Sequence, residues 1–427
     1  MEAFADSSLI DADSLPAPRD DRPRLERTSS RSLCAMELEI GWQSEHARHT
    51  DVYLAPKVNL WRDIIPAALE QQIMDRPIGH RAVHRFPAGE LLPAYEERDC
   101  IDIRSGEFNR RLRRTFVEPR AGRFYPRGFI AGVRGIFSDE HLPFRVAEVE
   151  GERLRVDLNA PLAGRELTIG ATLLDIWGSA GEHGGLCNDV ASFVTDRGPG
   201  MQARWRGQPT DFWSDLPFVR ISPSDDTEFY ERPRLVHHLD RTALRQIERL
   251  YERLLPRGGR ILDLMASWRS HITEAVAPAR VVGLGMNAEE LAANALLAER
   301  VVHDLNEDTR LPFPDASFDA VVCTVSVEYL VRPFEVFADL ARVLRPGGRL
   351  IATFSNRWFP PKVIRVWEEA HEFERVGLVL EYFLRSGLYT GLETFSLRGL
   401  PRPEDDRYAG QLSHSDPVYA VWGQRAA

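Results

Sequence analysis

The chain has 427 residues, 43% of them hydrophobic and 28% charged, with a formal net charge of -10. Such a length accommodates two or three domains, and the composition is ordinary for a globular protein. The acidic balance argues against a general nucleic-acid binder, which needs a basic surface to displace counterions. No run approaches the roughly 20 apolar residues of a membrane span. The N-terminus is acidic and lacks the apolar segment of a secretory signal, so a reducing cytoplasm is the expected compartment. The four cysteines, Cys34, Cys100, Cys187 and Cys323, are scattered, so neither a disulfide framework nor a metal site is expected. Arg110-Arg111-Leu112-Arg113-Arg114 is a local basic run, read most simply as a solvated arginine-rich face.

Residues 1–35 are rich in Asp, Ser, Arg and Pro, and cannot bury enough apolar surface to offset their ordering entropy; a disordered tail is expected. Residues 36–178 are β-rich. LEIGW reads as a strand. DIIPAALEQQIM reads as a helix packed through Ile64, Leu69 and Ile73. FRVAEVEGERLRVDL reads as two strands about a Glu-Gly turn, with Val146, Val149, Leu154 and Val156 as the apolar positions. LTIGATLLDIW is a longer strand. Residues 179–227 are rich in Gly, Asp and Pro and read as a linker, docked through Trp205, Phe212 and Trp213.

From residue 228 to 427 helix and strand signals alternate. TALRQIERLYERLL is an amphipathic helix. Strand RILDLM follows, then a helix near His271, strand RVVGLGM, helix AEELAANALL and strand RVVHDL. Strand FDAVVCTVS, helix PFEVFADLARVL, a turn at Arg345-Pro346-Gly347-Gly348 and strand RLIATF complete the set. Continuous apolar runs of this kind are buried parallel strands. Their alternation with helices means a doubly wound, Rossmann-like α/β sheet.

Three segments, VVGLGMNAEEL, VVHDLNEDTRLPFPDASFDAVVCTVSVEYL and LRPGGRLIATFSNR, follow the strand ILDLM in order and at suitable spacing. Over about residues 230–424 the chain resembles the class I S-adenosylmethionine-dependent methyltransferases. It is most similar to a subgroup with Ser-Trp after the first strand and Gly-Met-Asn after the second. The resemblance implies S-adenosylmethionine as cofactor and assigns roles by position. Asp263 would lie near the ammonium and sulfonium end, and Met265, Ala266 and Ser267 would run under the methionine moiety. Asp304 would read the adenine amino group, with Leu305 beside the ring. Thr324, Val325 and Ser326 would face the substrate side.

The sequence departs from the family twice. The loop after the first strand has no glycine, where the family uses one for close backbone approach. Gly285 stands where the family has an acid for the ribose diol; Asn287, two residues on, offers an amide oxygen instead. Plainer readings stand beside these. Asp263 would cap the following turn, Asn287 the helix AEELAANALL, and Asp304-Leu305-Asn306 would be a polar turn. His237, His238 and His271 are either general bases or structural. The segment RWFPPKVIRVWEEAHEFERVGLVLEYFLRSG is expected to form helices over the crevice and shape the acceptor site.

In the N-terminal half, VDLNAPLAGRELTIGATLLDI resembles the last strands of FKBP-type prolyl isomerases of the SlyD-like subgroup. FRVAEVEGERLRVDL fits that subgroup's flap insertion, and DIIPAALEQQIMDRPIGHRAVHRFPAGELLPAY its helix and following strand. The resemblance covers about residues 38–178 and implies an α+β domain. It places Ile64 and Ile65 on the floor of an isomerase pocket, Ala68 where the family has Trp or Leu, Tyr95 at its tyrosine and Ile169 at its last-strand phenylalanine. Glu96 replaces a glycine. Asp157 and Asn159 read as turn residues. The domain would be either an isomerase, twisting an X-Pro bond over a barrier of about 18–20 kcal/mol, or a non-catalytic module for unfolded or peptide segments.

Together these readings give a methyltransferase fused to a prolyl-isomerase-like domain that delivers a polypeptide acceptor. Two alternatives are a non-catalytic methyltransferase-like scaffold on a folding helper, and a small-molecule methyltransferase whose N-terminal domain is structural.

Overall fold

The computed structural model describes residues 10, 22–112, 115–178 and 185–427. The described residues divide into two units, one of those up to 214 with 371–377, the other of residues 215–370 and 378–427.

The first unit contains β1 (Ser32–Gln43), β2 (Arg48–Asn59), α1 (Ala67–Ile73), β3 (Arg81–Phe86) and β4 (Cys100–Arg104). It continues through β5 (Arg111–Leu112), β6 (Thr115–Phe116), β7 (Phe124–Pro126), β8 (Pro143–Glu150), β9 (Arg153–Asp157), β10 (Leu167–Gly178) and α2 (Ser192–Thr195). β2, β1, β10 and β3 lie side by side in that order, each antiparallel to the next. α1 supplies Leu69 and Ile73 to their core, against Met36, Ile40, Ile169 and Leu173. Between β3 and β10 a second antiparallel sheet is inserted, ordered β4-β9-β8-β7. It has its own aromatic core of Phe108, Tyr125, Phe129 and Phe144, closed by Val146, Leu154 and Val156. The β8–β9 turn places Gly151 at φ +59°, the left-handed region that glycine enters without steric cost.

The structure corrects two boundaries. The expected tail of residues 1–35 is part of the fold from residue 22 onward: Leu25 N–H donates to Ile176 O at 2.9 Å, Thr28 is buried, and β1 begins at Ser32. Residues 1–9 and 11–21 of that call lie outside the described residues, as do Arg113 and Arg114 of the basic run and residues 179–184 of the linker. The rest of the linker is a wall of the first unit up to Ser214. Val190, Val194 and Ala203 are buried in the core of the first sheet, and Phe193 stacks on Tyr53 at 5.3 Å. Phe212 is buried beneath the Arg123 guanidinium, 5.2 Å from its ring. A few apolar residues inside a Gly- and Pro-rich stretch suffice for docking, because each buried aliphatic side chain contributes about 1.5–3 kcal/mol.

The second unit contains α3 (Asp226–Tyr230), α4 (Arg241–Leu254), β11 (Arg260–Leu264), β12 (Arg280–Gly285), α5 (Ala288–Ala293), β13 (Glu299–Val302) and β14 (Phe318–Thr324). α6 (Pro333–Val343), β15 (Leu344–Phe354), α7 (Arg365–Glu369), β16 (Tyr389–Arg398) and β17 (Val418–Arg425) follow, with α8 (Glu372–Ser386) running through the segment shared between the units. The strand order is β13-β12-β11-β14-β15-β17-β16. The first five strands are parallel, and β17 is antiparallel to both its neighbours. The chain steps outward from β11 to β13, then returns to β14 on the other side of β11. That reversal opens a crevice beyond the carboxyl ends of β11 and β14.

The continuous apolar runs are buried as parallel strands require: Ile261, Leu262, Leu284, Val321 and Val322 are essentially inaccessible. Asp240 caps α4 by accepting from Ala243 N–H at 3.0 Å, and Leu244, Ile247, Tyr251 and Leu254 form its buried face. The helix expected near His271 is a single 3-10 turn at Glu274–Val276. His271 at φ +55°, Ala277 at φ +47° and Pro278 leave no room for a longer one. Among the described residues, no helix is long and apolar enough to cross a membrane, and no three His, Cys, Asp or Glu side chains cluster to hold a metal. The four cysteines are free thiols.

Candidate active site

All nine residues assigned to the cofactor from sequence, Asp263, Met265, Ala266, Ser267, Gly285, Asn287, Asp304, Leu305 and Ser326, line one cleft at the reversal point. Asp263 lies one residue before the end of β11 and is 2% exposed. Its Oδ2 has no hydrogen-bond partner among the described residues. Burial pushes its carboxyl up to about 7, with a hydrogen bond from Ser270 opposing the rise. A buried acceptor facing a cleft is costly unless a ligand satisfies it. A cationic ammonium is the matching donor, so the amino-acid end of S-adenosylmethionine fits here.

The two departures from the family are one structural feature. Met265 occupies the left-handed region at φ +56°, so the loop turns as a glycine loop does but with a side chain attached. Ala266 N–H then donates to Leu284 O at 2.7 Å, which lays the loop across the end of β12. A Cβ on Gly285 would stand 2.2 Å from Ala266 O. The missing acid is therefore a steric consequence of the loop.

Asn287 takes the capping role. Its Oδ1 accepts from Glu289 N–H and Glu290 N–H at 2.9 and 3.0 Å, and its Nδ2 donates to Tyr230 O and Glu231 O, both at 2.9 Å. With these four bonds its amide is committed, which answers the ribose expectation with a structural role. Glu290, absent from the sequence reading, is buried in the cleft wall. It accepts from the Ser267 hydroxyl at 2.6 Å and from Arg234 N–H at 2.7 Å. Its place three residues after an N-cap is the signal that marks it: side chains there turn back over the helix start.

Asp304 also makes a turn, accepting from Asn306 N–H at 2.7 Å, while lining the cleft beside buried Leu305. Val325 sits at φ +50° at the end of β14, an outlier for a β-branched residue. Its N–H donates to Thr353 O at 2.7 Å, and Ser326 Oγ donates to Thr324 O at 3.0 Å. Strained backbone of this sort concentrates at functional sites.

Residues 226–239 form the roof. Burial pushes Asp226 up, but hydrogen bonds from Arg220, Asn306 and Lys362 outweigh it and hold the carboxyl below the usual range. His237, His238 and His271, read from sequence as structural or basic, all line the cleft. Burial lowers all three, His271 to about 4. They are therefore neutral at pH 7, and His271 Nδ1 is a buried atom without a partner. Trp268 ties loop to roof, its Nε1–H donating to Val236 O at 3.2 Å with His237 packed 4.7 Å from its ring.

In the first unit the residues assigned to an isomerase pocket do not form one. Ile169 is buried in the sheet core, and Ile65 packs against it. The Ile64 side chain is 60% exposed, and its backbone is taken: its N–H donates to Asn188 O at 2.8 Å and its O accepts from Val190 N–H at 2.9 Å. Tyr95 lines a different cleft, with Arg145, Asp157 and Trp205, and its hydroxyl bonds Cys100 Sγ at 2.9 Å and Asp157 Oδ2 at 3.2 Å. The chain's own segment after β10 thus pairs with the Ile64 backbone and leaves that residue exposed. The reason is the docking of Val190 and Val194 described above.

The second unit is a doubly wound α/β domain whose cleft holds buried, unsatisfied polar atoms at the switch point, the place where sheets of this class bind ligands. Within it, residues 265–352 match the family described as a methyltransferase domain. The chain is 32% identical over 133 residues to methyltransferase GfsG of Streptomyces halstedii, covering 29% of this chain and 47% of that protein. It is 36% identical over 102 residues to a demethylmenaquinone methyltransferase of Deinococcus radiodurans, covering 22% of this chain and 39% of that protein. The chain thus spans less than half the length of these curated relatives. An S-adenosylmethionine dependent methyltransferase from Mesorhizobium loti superposes with a TM-score of 0.29 at 17% identity, covering 43% of this chain and 98% of that one. Residues 265–352 thus match a methyltransferase domain, a family that implies S-adenosylmethionine as cofactor.

Proposed function

We propose that the second unit is an S-adenosylmethionine-dependent methyltransferase acting on a small-molecule acceptor. The unpartnered Asp263 oxygen at the switch point carries this reading. When bound, the cofactor supplies a methyl group already activated on a sulfonium, so the protein's work is alignment rather than acid–base chemistry. Asp263 accepts from the ammonium. The Met265–Ser267 backbone, held by Leu284 and Glu290, supports the methionine moiety. Asp304 and Leu305 flank the adenine, and the 226–239 roof excludes water. Relatives named for small acceptors, demethylmenaquinone among them, support a small molecule.

We further propose that the first unit is a SlyD-type, FKBP-like frame without isomerase turnover. The inserted sheet between β3 and β10 and the position of α1 after β2 support the frame. Burial of Ile169 in the sheet core and the placement of Tyr95 in a different cleft support the loss of turnover, and count against delivery of a polypeptide acceptor through that pocket.

Calorimetric titration of the full chain with S-adenosylmethionine and S-adenosylhomocysteine tests the first proposal. Micromolar binding, weakened by Asp263→Ala and by Asp304→Ala, is expected. Absence of binding at millimolar ligand would leave the scaffold reading in its place.

A further inference from the structure

The cleft has a second unsatisfied group, and its chemistry is opposite to that of Asp263. Arg234 begins on the cofactor half, where its N–H donates to Glu290 at 2.7 Å. Its guanidinium crosses to the other half. It lies 4.4 Å from the Phe229 ring centroid and 5.4 Å from that of Phe359, which follows β15. One nitrogen, Nη2, donates to Phe229 O at 2.9 Å. The other, Nη1, is buried and has no partner among the described residues. A guanidinium pressed between aromatic faces gains cation–π attraction, but those faces offer no acceptor for its N–H groups. It remains a buried donor without an acceptor on a residue that lines the cleft.

The surroundings select the ligand. Phe359 stacks with Tyr329 at 6.0 Å and 28°, so the wall beside Arg234 is flat and apolar. Asp226, the nearby carboxylate of the roof, is neutralised by Lys362 at 2.9 Å and Arg220 at 2.7 Å, and does not repel an anion. Tyr230 stands 4.9 Å from Phe229, and burial keeps its phenol protonated as a further donor.

We infer that Arg234 is the anion-recognising residue of the acceptor half, and that the acceptor is a flat ring bearing an anionic oxygen. This deepens the methyltransferase reading and rests on it. Arginine suits the task, because its planar fork both stacks on rings and bonds oxyanions.

The test uses the full chain saturated with S-adenosylhomocysteine and two probes of nearly equal shape, 2-naphthoate and the neutral 2-naphthalenemethanol. The naphthoate is expected to bind roughly tenfold more tightly, the effect of one charge-assisted hydrogen bond. Arg234→Met, which keeps the aliphatic stem, should bring the two probes to within about twofold, while Arg234→Lys retains part of the preference. Equal binding of the probes to the wild type, no binding of either, or a preference that survives Arg234→Met would overturn the inference. So would weakened S-adenosylhomocysteine binding in Arg234→Met with binding of carboxylate-free methylthioadenosine unchanged, which would assign Arg234 to the cofactor's carboxylate. Failure of S-adenosylhomocysteine to bind the wild type would instead remove the methyltransferase reading itself.

Discussion

Restoring the family's acid at the end of β12 should damage this protein. In Gly285→Asp the new Cβ would lie 2.2 Å from Ala266 O, 3.2 Å from Ala266 C and 3.3 Å from Leu291 Cδ2. Carbon and oxygen need about 3.2 Å or more, so the loop must retreat by about 1 Å. Overpacking of this order costs about 1–3 kcal/mol. The retreat also stretches the Ala266–Leu284 hydrogen bond, present at 2.7 Å, whose loss costs about 0.5–1.5 kcal/mol. A destabilisation of about 2–4 kcal/mol follows, which for a unit of this size lowers Tm by roughly 5–15 °C. Because the clash begins at Cβ, Gly285→Ala should lose nearly as much. Thermal melts with and without S-adenosylhomocysteine provide the assay. Both variants should melt low and bind the ligand more weakly. A Gly285→Ala variant of wild-type stability, or a Gly285→Asp variant that binds more tightly, would refute the argument that loop position excludes the acid.

Asp263 predicts a pH dependence. Its folded-state carboxyl is raised from 3.8 to about 7, so the folded state holds the proton more tightly than the unfolded chain. That contribution is fully present below the unfolded value and is lost as pH rises through about 7. Asp263→Asn should therefore be more stable than wild type at pH 8, by an amount of order 2–4 kcal/mol, with the gain gone near pH 4 in urea melts. Wild-type affinity for S-adenosylmethionine should rise between pH 6 and 8 as the carboxylate becomes available, and a flat profile would remove Asp263 from the ammonium. Met265 at φ +56° predicts that Met265→Gly is neutral or stabilising, whereas Met265→Val costs about 1–2 kcal/mol in the same melts. Val194 is fully buried, so Val194→Asp should detach the docked segment, destabilise the first unit by about 3 kcal/mol and open residues 185–214 to limited proteolysis. Resistance of that segment in the variant would mean that it is not held by this contact.

The features legible in sequence are those set by local pattern. Apolar runs such as RVVGLG and FDAVVCT can only be buried parallel strands, and β12 and β14 lie where they were expected. Asn287 precedes its helix as the expected cap because short polar side chains compete for the first N–H groups. The site was legible as a set of positions but not as a set of bonds. Asn287 is committed to Tyr230 and Glu231, more than fifty residues earlier in the chain, and no spacing rule connects them. Glu290 reads as one more charge on a helix until the fold brings Ser267 and Arg234 to it. The boundary errors have a different source. Composition places residues 185–214 among linkers, because Gly, Pro and Asp interrupt every apolar run, yet stability depends on where Val190, Phe193 and Val194 land.

The same reasoning joins the two departures that make the cofactor loop look lost. A loop without glycine is expected to stand off its ligand, and a second strand without an acid is expected to release the ribose. Taken singly, each suggests a dead site. Met265 reaches the left-handed turn at the cost of strain, about 1–2 kcal/mol. That turn carries Ala266 onto Leu284, and the occupied space then admits only glycine at position 285. One rearrangement explains both substitutions, and it leaves Asp263 buried in the cleft wall with one carboxyl oxygen bonded by Ser270 and the other, Oδ2, without a partner among the described residues. A decayed site has no reason to keep a half-satisfied carboxyl in its core, because a buried acceptor without a partner is costly. Met265 and Val325 in left-handed backbone, the Asp263 oxygen and the Arg234 nitrogen line one cleft, where a bound ligand would offset their cost.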